Sequence, residues 1–167
     1  MSRFRLKISQ EQVKLPNGRT VELDIVRHPG ASAVVPFVSV DEILLIRQYR
    51  YAAGGSILEV PAGKLDPGDT PESCAARELE EEAGRRARRL EKLASIFTTP
   101  GFTDEVIHLF AAFDLDPVPT RHEHDVVIEL VPMRLDPALE LVWKGTLRDA
   151  KSALALIHAA RHVGRLR

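Results

Sequence analysis

The stretch Gly63–Gly84, with the sequence GKLDPGDTPESCAARELEEEAG, contains the clearest local signals in the chain. Its first part, Gly63–Asp69, is rich in Gly and Asp and predicts a loop. Thr70 is a favoured helix cap, Pro71 suits the first helical position, and Gly84 stands where a helix commonly ends. Apolar residues recur every four positions between these limits, which predicts one buried helix face. That face consists of Ala75, Leu79 and Ala83.

The same predicted helix brings three carboxylates close together. Glu78 and Glu82 are four residues apart and Glu81 is three from Glu78, so they lie near one face. Like charges at this spacing destabilise a helix by about 0.2–0.5 kcal/mol per pair. Bound Mg²⁺ or Mn²⁺ would compensate them, because both ions prefer oxygen ligands, and Arg77 is spaced to pair with Glu81. The alternative interpretation is a solvated acidic helix face.

The loop before the helix favours the metal interpretation, because glycine lets backbone and a carbonyl ligand approach an ion closely. The whole pattern resembles the signature of the Nudix hydrolases: Gly, five residues, Glu, seven residues, then Arg-Glu-apolar-any-Glu-Glu-any-Gly-apolar. Asp69 departs from it by replacing the first Glu, and Arg85 by replacing an apolar residue. The positions in register are Gly63, Arg77, Glu78, Leu79, Glu81, Glu82 and Gly84.

The resemblance implies an α+β fold, a Nudix-type α/β/α sandwich around a mixed β-sheet. It also implies Mg²⁺ as the cofactor, with Mn²⁺ as a substitute. The implied metal ligands are the carbonyl of Ala62 and the carboxylates of Glu78, Glu81 and Glu82, with Asp69 at the edge of the cluster. Glu82 and Glu81 are by the same resemblance catalytic residues.

Segments outside the signature narrow the resemblance. The sequence reads IRQYR at 46–50, LEVPAG at 58–63 and TPGFTDE at 99–105, with a proline sixteen residues after Gly84. This arrangement resembles the ADP-ribose pyrophosphatase branch of the family. It implies Mg²⁺-dependent hydrolysis of a nucleoside diphosphate sugar, with ADP-ribose giving AMP and ribose 5-phosphate.

The same segments supply candidate substrate-binding residues. Arginine suits bidentate phosphate contacts, so Arg50 is the first candidate for the diphosphate and Arg47 the second. Glu105 is a candidate for hydrogen bonds to ribose hydroxyls, and Gly101 belongs to the same loop. Phe102 either stacks on the ligand or packs the loop, and packing is the favoured interpretation.

A general base is expected on a late loop, by resemblance to the same branch. The matching stretch reads RHEHD at 121–125, in which Glu123 is preferred and Asp125 is the alternative. His122 and His124 flank them, and a histidine can act as a base near neutral pH. Histidines in an exposed loop are more often polar surface, so the carboxylates are favoured.

Other functions remain open at this point. The same fold would serve a pyrophosphatase for other nucleotide sugars, for dinucleotide cofactors such as FAD or NADH, or for nucleoside triphosphates. A non-catalytic, nucleotide-sensing module is a further alternative. A sensor has no need of the metal-binding carboxylates, yet Glu78, Glu81 and Glu82 are all present.

Periodicity along the rest of the chain predicts one domain over residues 1–167, with an N-terminal extension over residues 1–30. Alternating apolar residues on both sides of Asn17-Gly18 predict a hairpin over 10–27, which is either a surface hairpin or part of a homodimer interface. Trp143 is predicted to pack between the late helices, and Cys74 to be a buried thiol. Further strands are predicted at 33–40, 42–49, 57–60, 94–98, 106–113 and 126–131, and helices at 136–142 and 147–162.

Composition excludes several other classes of protein. The 167 residues contain 23 Lys and Arg against 24 Asp and Glu, so no overall positive charge favours nucleic acid. The basic run Arg85–Arg89 is interpreted as the complement of a helix C-terminus. One cysteine excludes an internal disulfide, and no stretch reads as a signal peptide or membrane span. These features predict a cytoplasmic protein, and the resemblance given above implies a small nucleoside diphosphate derivative as its partner.

Overall fold

The first element of the structure is a two-stranded antiparallel ribbon. The computed structural model describes residues 7–121 and 127–166. Strands β1 (Lys7–Lys14) and β2 (Thr20–Arg27) pair along their whole length and form a sheet of their own. Gly18 has φ +83°, the left-handed conformation that the turn requires. The predicted hairpin is therefore present, and its first strand begins three residues earlier than predicted.

Two further sheets form the centre of the molecule. Their strands are β3 (Ala31–Pro36), β4 (Glu42–Arg50), β5 (Gly55–Glu59), β6 (Ala62–Lys64), β7 (Arg85–Phe97), β8 (Val106–Pro117) and β9 (Ile128–Arg134). One sheet has the order β6-β3-β8-β7 and the other β5-β4-β9. Strands β3 and β8 run parallel while their other neighbours run antiparallel, so the predicted mixed sheet is confirmed.

Three helices cover the two faces of these sheets: α1 (Pro71–Ala83), α2 (Leu135–Trp143) and α3 (Ala150–His162). The buried face of α1 packs with Val34, Leu44 and Phe110. The core on the other side includes buried residues of α2 and α3. This is the predicted α/β/α sandwich.

The start of α1 follows the local signals in the sequence closely. Thr70 Oγ1 accepts a hydrogen bond from the Ser73 N–H at 3.1 Å, and Ser73 Oγ accepts one from the Thr70 N–H at 2.9 Å. These reciprocal bonds satisfy backbone donors that a helix N-terminus leaves free. Gly84 ends the helix with φ +60°. Helix α1 therefore holds its acidic residues on a firmly fixed element.

The largest difference from prediction concerns β7, which was expected only from residue 94 and begins at Arg85. Arg85 Nη1 donates to the Gly84 carbonyl, in keeping with the predicted complement to the helix end. Beyond it the run is strand: Arg86 pairs with Glu80 at 2.7 Å, and Arg88 with Asp116 on β8 at 2.7 Å. Charged side chains are common on an edge strand, where they discourage pairing with other chains. Most of the basic run therefore belongs to an edge strand, and Arg86 and Arg88 in it form ion pairs with acidic residues.

Smaller differences concern single residues. The predicted strand 33–40 ends at Pro36, and the predicted loop after residue 62 opens with the short strand β6. Trp143 is 56% exposed, so its predicted packing between the helices is wrong. Cys74 is fully buried, as predicted. Among residues 7–121 and 127–166, no helix is long and apolar enough to cross a membrane; the cytoplasmic location stays a prediction.

Candidate active site

Strand β6 presents the backbone of Ala62 to helix α1. In an antiparallel pair of strands, hydrogen-bonded and non-hydrogen-bonded residue pairs alternate. Val34 and Pro61 are hydrogen-bonded through the Val34 N–H and the Pro61 carbonyl, so the neighbouring pair, Ala33 and Ala62, is not. The N–H and the carbonyl of Ala62 therefore point away from β3. The Ala62 N–H donates instead to Oε2 of Glu82 at 2.9 Å. The carbonyl of Ala62 consequently lies on the side of β6 that faces Glu82.

Glu78 lies directly against the backbone of Gly63. A Cβ atom at position 63 would come 1.9 Å from Oε1 of Glu78, far inside van der Waals contact. Glycine is therefore required here by a close approach. Glu78 is only 8% exposed, so its carboxylate is confined between the loop and α1.

Arg77 joins the acidic residues of the loop and the helix. Its guanidinium lies 2.5 Å from Glu78 Oε1 and 3.4 Å from Glu81 Oε2, so the predicted pairing with Glu81 is confirmed. It also donates to Asp69 at 3.2 Å and to the Lys64 carbonyl at 3.0 Å. Asp69 is thus held by Arg77 at the edge of the cluster.

The environment makes two of the three carboxylates hard to ionise. Burial raises the pKa of Glu82 to about 7, and the charge of Glu78 adds to this shift against the hydrogen bond from Ala62. Burial also raises the pKa of Glu78, and the charge of Glu81 adds to it while Arg77 opposes it. Carboxylates that lie close together repel each other when ionised, and a cation bound between them relieves that repulsion.

This set of donors fits a divalent cation. Carboxylate and carbonyl oxygens are hard ligands of the kind that Mg²⁺ and Mn²⁺ prefer. Within the described ranges, no three Asp, Glu, His or Cys side chains converge closely enough to hold an ion by themselves. Mg²⁺ commonly takes one or two carboxylates, with water and substrate phosphates in its other positions. The Ala62 carbonyl beside Glu82 suits such an open site.

Arg50 lies at the end of β4. Its positive charge lowers the pKa of Glu82, so the two groups lie within electrostatic range. The guanidinium forms a bidentate pair with Glu59, with Nε and Nη2 at 2.7 and 2.8 Å from the two carboxylate oxygens. This pair fixes the plane of the guanidinium and leaves Nη1 directed elsewhere.

The structure does not bring Arg47 to these groups. Arg47 is an odd number of residues from Arg50 on the same strand, so its side chain leaves the opposite face of the sheet. There it pairs with Glu129 of β9 at 3.1 Å. Arg50 is therefore better placed than Arg47 to contact a diphosphate near Glu82.

The loop with Gly101, Phe102 and Glu105 is attached to the N-terminal ribbon. The Phe102 carbonyl accepts a hydrogen bond from Val26 of β2 at 2.8 Å. Glu105 accepts one from the Thr98 hydroxyl at 2.8 Å. Phe102 is 52% exposed and Gly101 is exposed beside it, and the choice between stacking and packing for Phe102 stays a prediction.

The candidates for the general base, Glu123 and Asp125, lie outside the described residues, as do the flanking His122 and His124. Val127, directly before β9, is the first described residue after them. The role of these carboxylates stays a prediction.

Comparisons with known proteins bear on this arrangement. A sequence profile of the NUDIX domain matches residues 26–152. An ADP-ribose pyrophosphatase of Bacillus subtilis (strain 168) is 41% identical over 148 residues, which cover 87% of this chain and 80% of the relative. The chain belongs to the Nudix family. It is a Nudix pyrophosphohydrolase, as the sequence predicted.

Two further similarities place the Nudix domain among its relatives. A GDP-mannose pyrophosphatase of Cronobacter sakazakii (strain ATCC BAA-894) is 36% identical over 153 residues, covering 81% of this chain and 79% of the relative. A crystal structure of an ADP compounds hydrolase superposes with a TM-score of 0.85 at 24% identity, covering 99% of this chain and 92% of the other. The last comparison supports the Nudix fold alone.

Sequence reasoning did not single out Glu59, Gln48 or Lys151. Glu59 is 1% exposed and Gln48 is 6% exposed, and Gln48 Oε1 has no hydrogen-bond partner among the described residues. Lys151, from α3, pairs with Glu59 at 2.7 Å. The available signal for Glu59 was its position between the apolar residues Leu58 and Val60. A charged residue in such a place is expected to be buried, and buried charges are normally paired.

The raised pKa of Glu82 predicts a pH-dependent stability for the metal-free Nudix domain. Folding raises this pKa to about 7, so the folded state holds the proton more tightly than the unfolded chain. The stability contributed by that proton is complete below the unfolded pKa and is lost as pH rises through 7. We expect this contribution to fall by up to about 3 kcal/mol between pH 5 and pH 8.

Urea unfolding at several pH values, with a chelator present, measures the effect. The Glu82→Gln variant is the matched control, because its side chain cannot titrate. The difference between the two curves isolates the contribution of Glu82 from those of other groups. If the free energy of unfolding changed with pH by the same amount in both proteins, the assignment of this effect to Glu82 would be contradicted.

Proposed function

We propose that this Nudix protein hydrolyses the diphosphate bond of nucleoside diphosphate sugars, with ADP-ribose as the main substrate, giving AMP and ribose 5-phosphate. The observation that carries the proposal is the position of Arg50. Its guanidinium is fixed by Glu59 within electrostatic range of Glu82. A diphosphate needs a cationic contact beside a metal site, and this arrangement supplies both.

The chain's own residues have distinct roles in this proposal. The Ala62 carbonyl, Glu78 and Glu82 would hold Mg²⁺, and Glu81, which pairs with Arg77, would support them. Mn²⁺ suits the same oxygen donors. A bound divalent cation would neutralise the charge that builds up on the diphosphate during hydrolysis.

The remaining steps are assigned to binding and proton transfer. Arg50 binds the diphosphate through the end of its guanidinium that Glu59 does not use. Glu123, with Asp125 as the alternative, removes the proton of the attacking water. Arg47 is a weaker candidate for substrate contact, since its side chain lies on the other face of β4 and pairs with Glu129.

We propose further that the N-terminal ribbon serves a homodimer. A two-stranded ribbon is marginally stable alone, and here β1 and β2 form a separate sheet. Ile8 is 70% exposed, and Leu23, on the opposite face of the ribbon, is 39% exposed, so a partner that covers either face would bury an apolar side chain. The attached loop would then bring Glu105 to the ribose, and Gly101 and Phe102 to the same ligand. A monomeric mass by light scattering at micromolar concentration would contradict the dimer.

A substrate panel tests the proposed activity. ADP-ribose, GDP-mannose, other nucleotide sugars, FAD, NADH and nucleoside triphosphates are each incubated with Mg²⁺ or Mn²⁺, and release of the monophosphate is measured. We expect the highest kcat/KM with ADP-ribose and Mg²⁺. A clear preference for another compound would reassign the substrate, and no release from any compound would favour a nucleotide sensor.

GDP-mannose is included for a specific reason. A relative with 36% identity carries the name GDP-mannose pyrophosphatase. The contacts argued above address the diphosphate and the metal, which both substrates share. The sugar and the base therefore decide between the two, and the panel compares them directly.

A further inference from the structure

The first turn of α3 is fastened to the strand that leads into the site. Lys151 Nζ donates to Glu59 Oε2 at 2.7 Å and to Asp149 at 2.9 Å. The next residue, Ser152, is fully buried, and its hydroxyl accepts a hydrogen bond from the Val60 N–H at 2.8 Å. Glu59, the last residue of β5, and Val60, which follows it, are thus held by two consecutive residues of the helix.

Glu59 lies between two cations. Arg50 contacts both carboxylate oxygens, and Lys151 contacts one of them from the other element. Burial acts to raise the pKa of Glu59, yet the hydrogen bonds and charges of Arg50 and Lys151 hold it below its ordinary value. The carboxylate is therefore ionised, and its single negative charge is shared by two positive charges.

We infer that Lys151 is a positioning residue for substrate, which acts through Glu59 on Arg50. This inference rests on the proposed function, because it takes Arg50 as the contact for the diphosphate. With Lys151 in place, the three groups carry one positive charge in excess. Without it, Glu59 and Arg50 would neutralise each other, and the guanidinium would attract the diphosphate less strongly.

Asp149 does not cancel this effect. Its carboxylate pairs with Lys151, but it also accepts hydrogen bonds from the N–H and the hydroxyl of Ser152. It is the N-cap of α3, where the helix dipole favours a negative charge. Its negative charge also acts on Arg50, but Asp149 is present with and without Lys151, so replacing Lys151 still removes one positive charge from the group.

The test replaces Lys151 by Met and measures kcat and KM for ADP-ribose with saturating Mg²⁺. We expect KM to rise about tenfold while kcat changes less than about threefold, because a diphosphate contact is present before and during the reaction. Lys151→Arg should restore most of the affinity, since it keeps the charge. Lys144→Met is the matched control, because Lys144 is an exposed residue at the end of α2.

A double-mutant cycle separates positioning from a general effect on folding. Lys151→Met should have no further effect on KM in an Arg50→Met background, because both changes remove the same contact. Lys151→Gln, which keeps a polar side chain, replaces Lys151→Met if thermal unfolding shows that the latter does not fold. Calorimetric binding of ADP-ribose in the presence of a chelator gives a readout that needs no turnover, and we expect the same weakening there.

Each outcome decides between the claims. Equal effects of Lys151→Met in the presence and absence of Arg50 would overturn the positioning role. A raised KM in Arg50→Met with a normal KM in Lys151→Met and Lys151→Gln would overturn the inference and leave the proposed function standing. An unchanged KM and binding constant in Arg50→Met would overturn both the diphosphate contact and the inference.

Discussion

Replacing Glu82 by Gln is expected to lower kcat for the best substrate about a thousandfold or more. Glu82 is the carboxylate that adjoins the Ala62 backbone, and its burial raises its pKa to about 7. The amide that replaces it is neutral and binds a divalent cation weakly. The substitution thus removes the negative charge and keeps the shape of the side chain, so the expected loss of turnover is due to the charge.

The fold of the Glu82→Gln variant should be intact. The amide oxygen can accept the hydrogen bond that the Ala62 N–H donates to Glu82 at 2.9 Å. Glu80→Gln is the matched control on the same helix, because Glu80 pairs with Arg86 at the surface. We expect it to keep nearly normal turnover. Turnover near that of the parent protein in Glu82→Gln at saturating Mg²⁺ would refute the proposed metal site.

Helix α1 could be predicted closely because its signals are local. Thr70, Pro71 and Gly84 lie within one or two residues of the ends they determine, and the four-residue spacing of Leu79 and its neighbours identifies the buried face. The carboxylates then follow, since a helix fixes their mutual positions. This is the part of the site that one continuous stretch of sequence can specify.

The arginine network could not be predicted in the same way. Glu59 is paired with Lys151, which lies 92 positions later in the chain, and no local pattern connects them. The chemistry of arginine suggested the role of Arg50. The orientation of its guanidinium depends on Glu59, which contacts Lys151 in turn. The start of β7 at Arg85 was missed for a related reason, because pairing with β8 outweighs the low strand propensity of a basic run.

The close approach of Glu78 to Gly63 supports the last prediction, that Gly63→Ala lowers kcat/KM about a hundredfold. The added Cβ would lie 1.9 Å from Glu78 Oε1, so the carboxylate must move. Because Glu78 is 8% exposed and its carboxylate pairs with Arg77, this movement also lowers folding stability. Activity falls as well, since a misplaced ligand weakens both metal binding and the alignment of the reacting groups.

The Mg²⁺ concentration for half-maximal activity should therefore rise in Gly63→Ala, and a thermal unfolding curve checks that the variant is folded at the assay temperature. Gly55→Ala is the matched control, because a Cβ at position 55 would meet no atom within 4 Å. A normal dependence on Mg²⁺ in Gly63→Ala would mean that Glu78 is not a metal ligand, whatever happens to kcat. A lower kcat with an unchanged metal requirement would instead give Glu78 a role in the reaction other than metal binding, so the metal titration separates the two roles for this carboxylate.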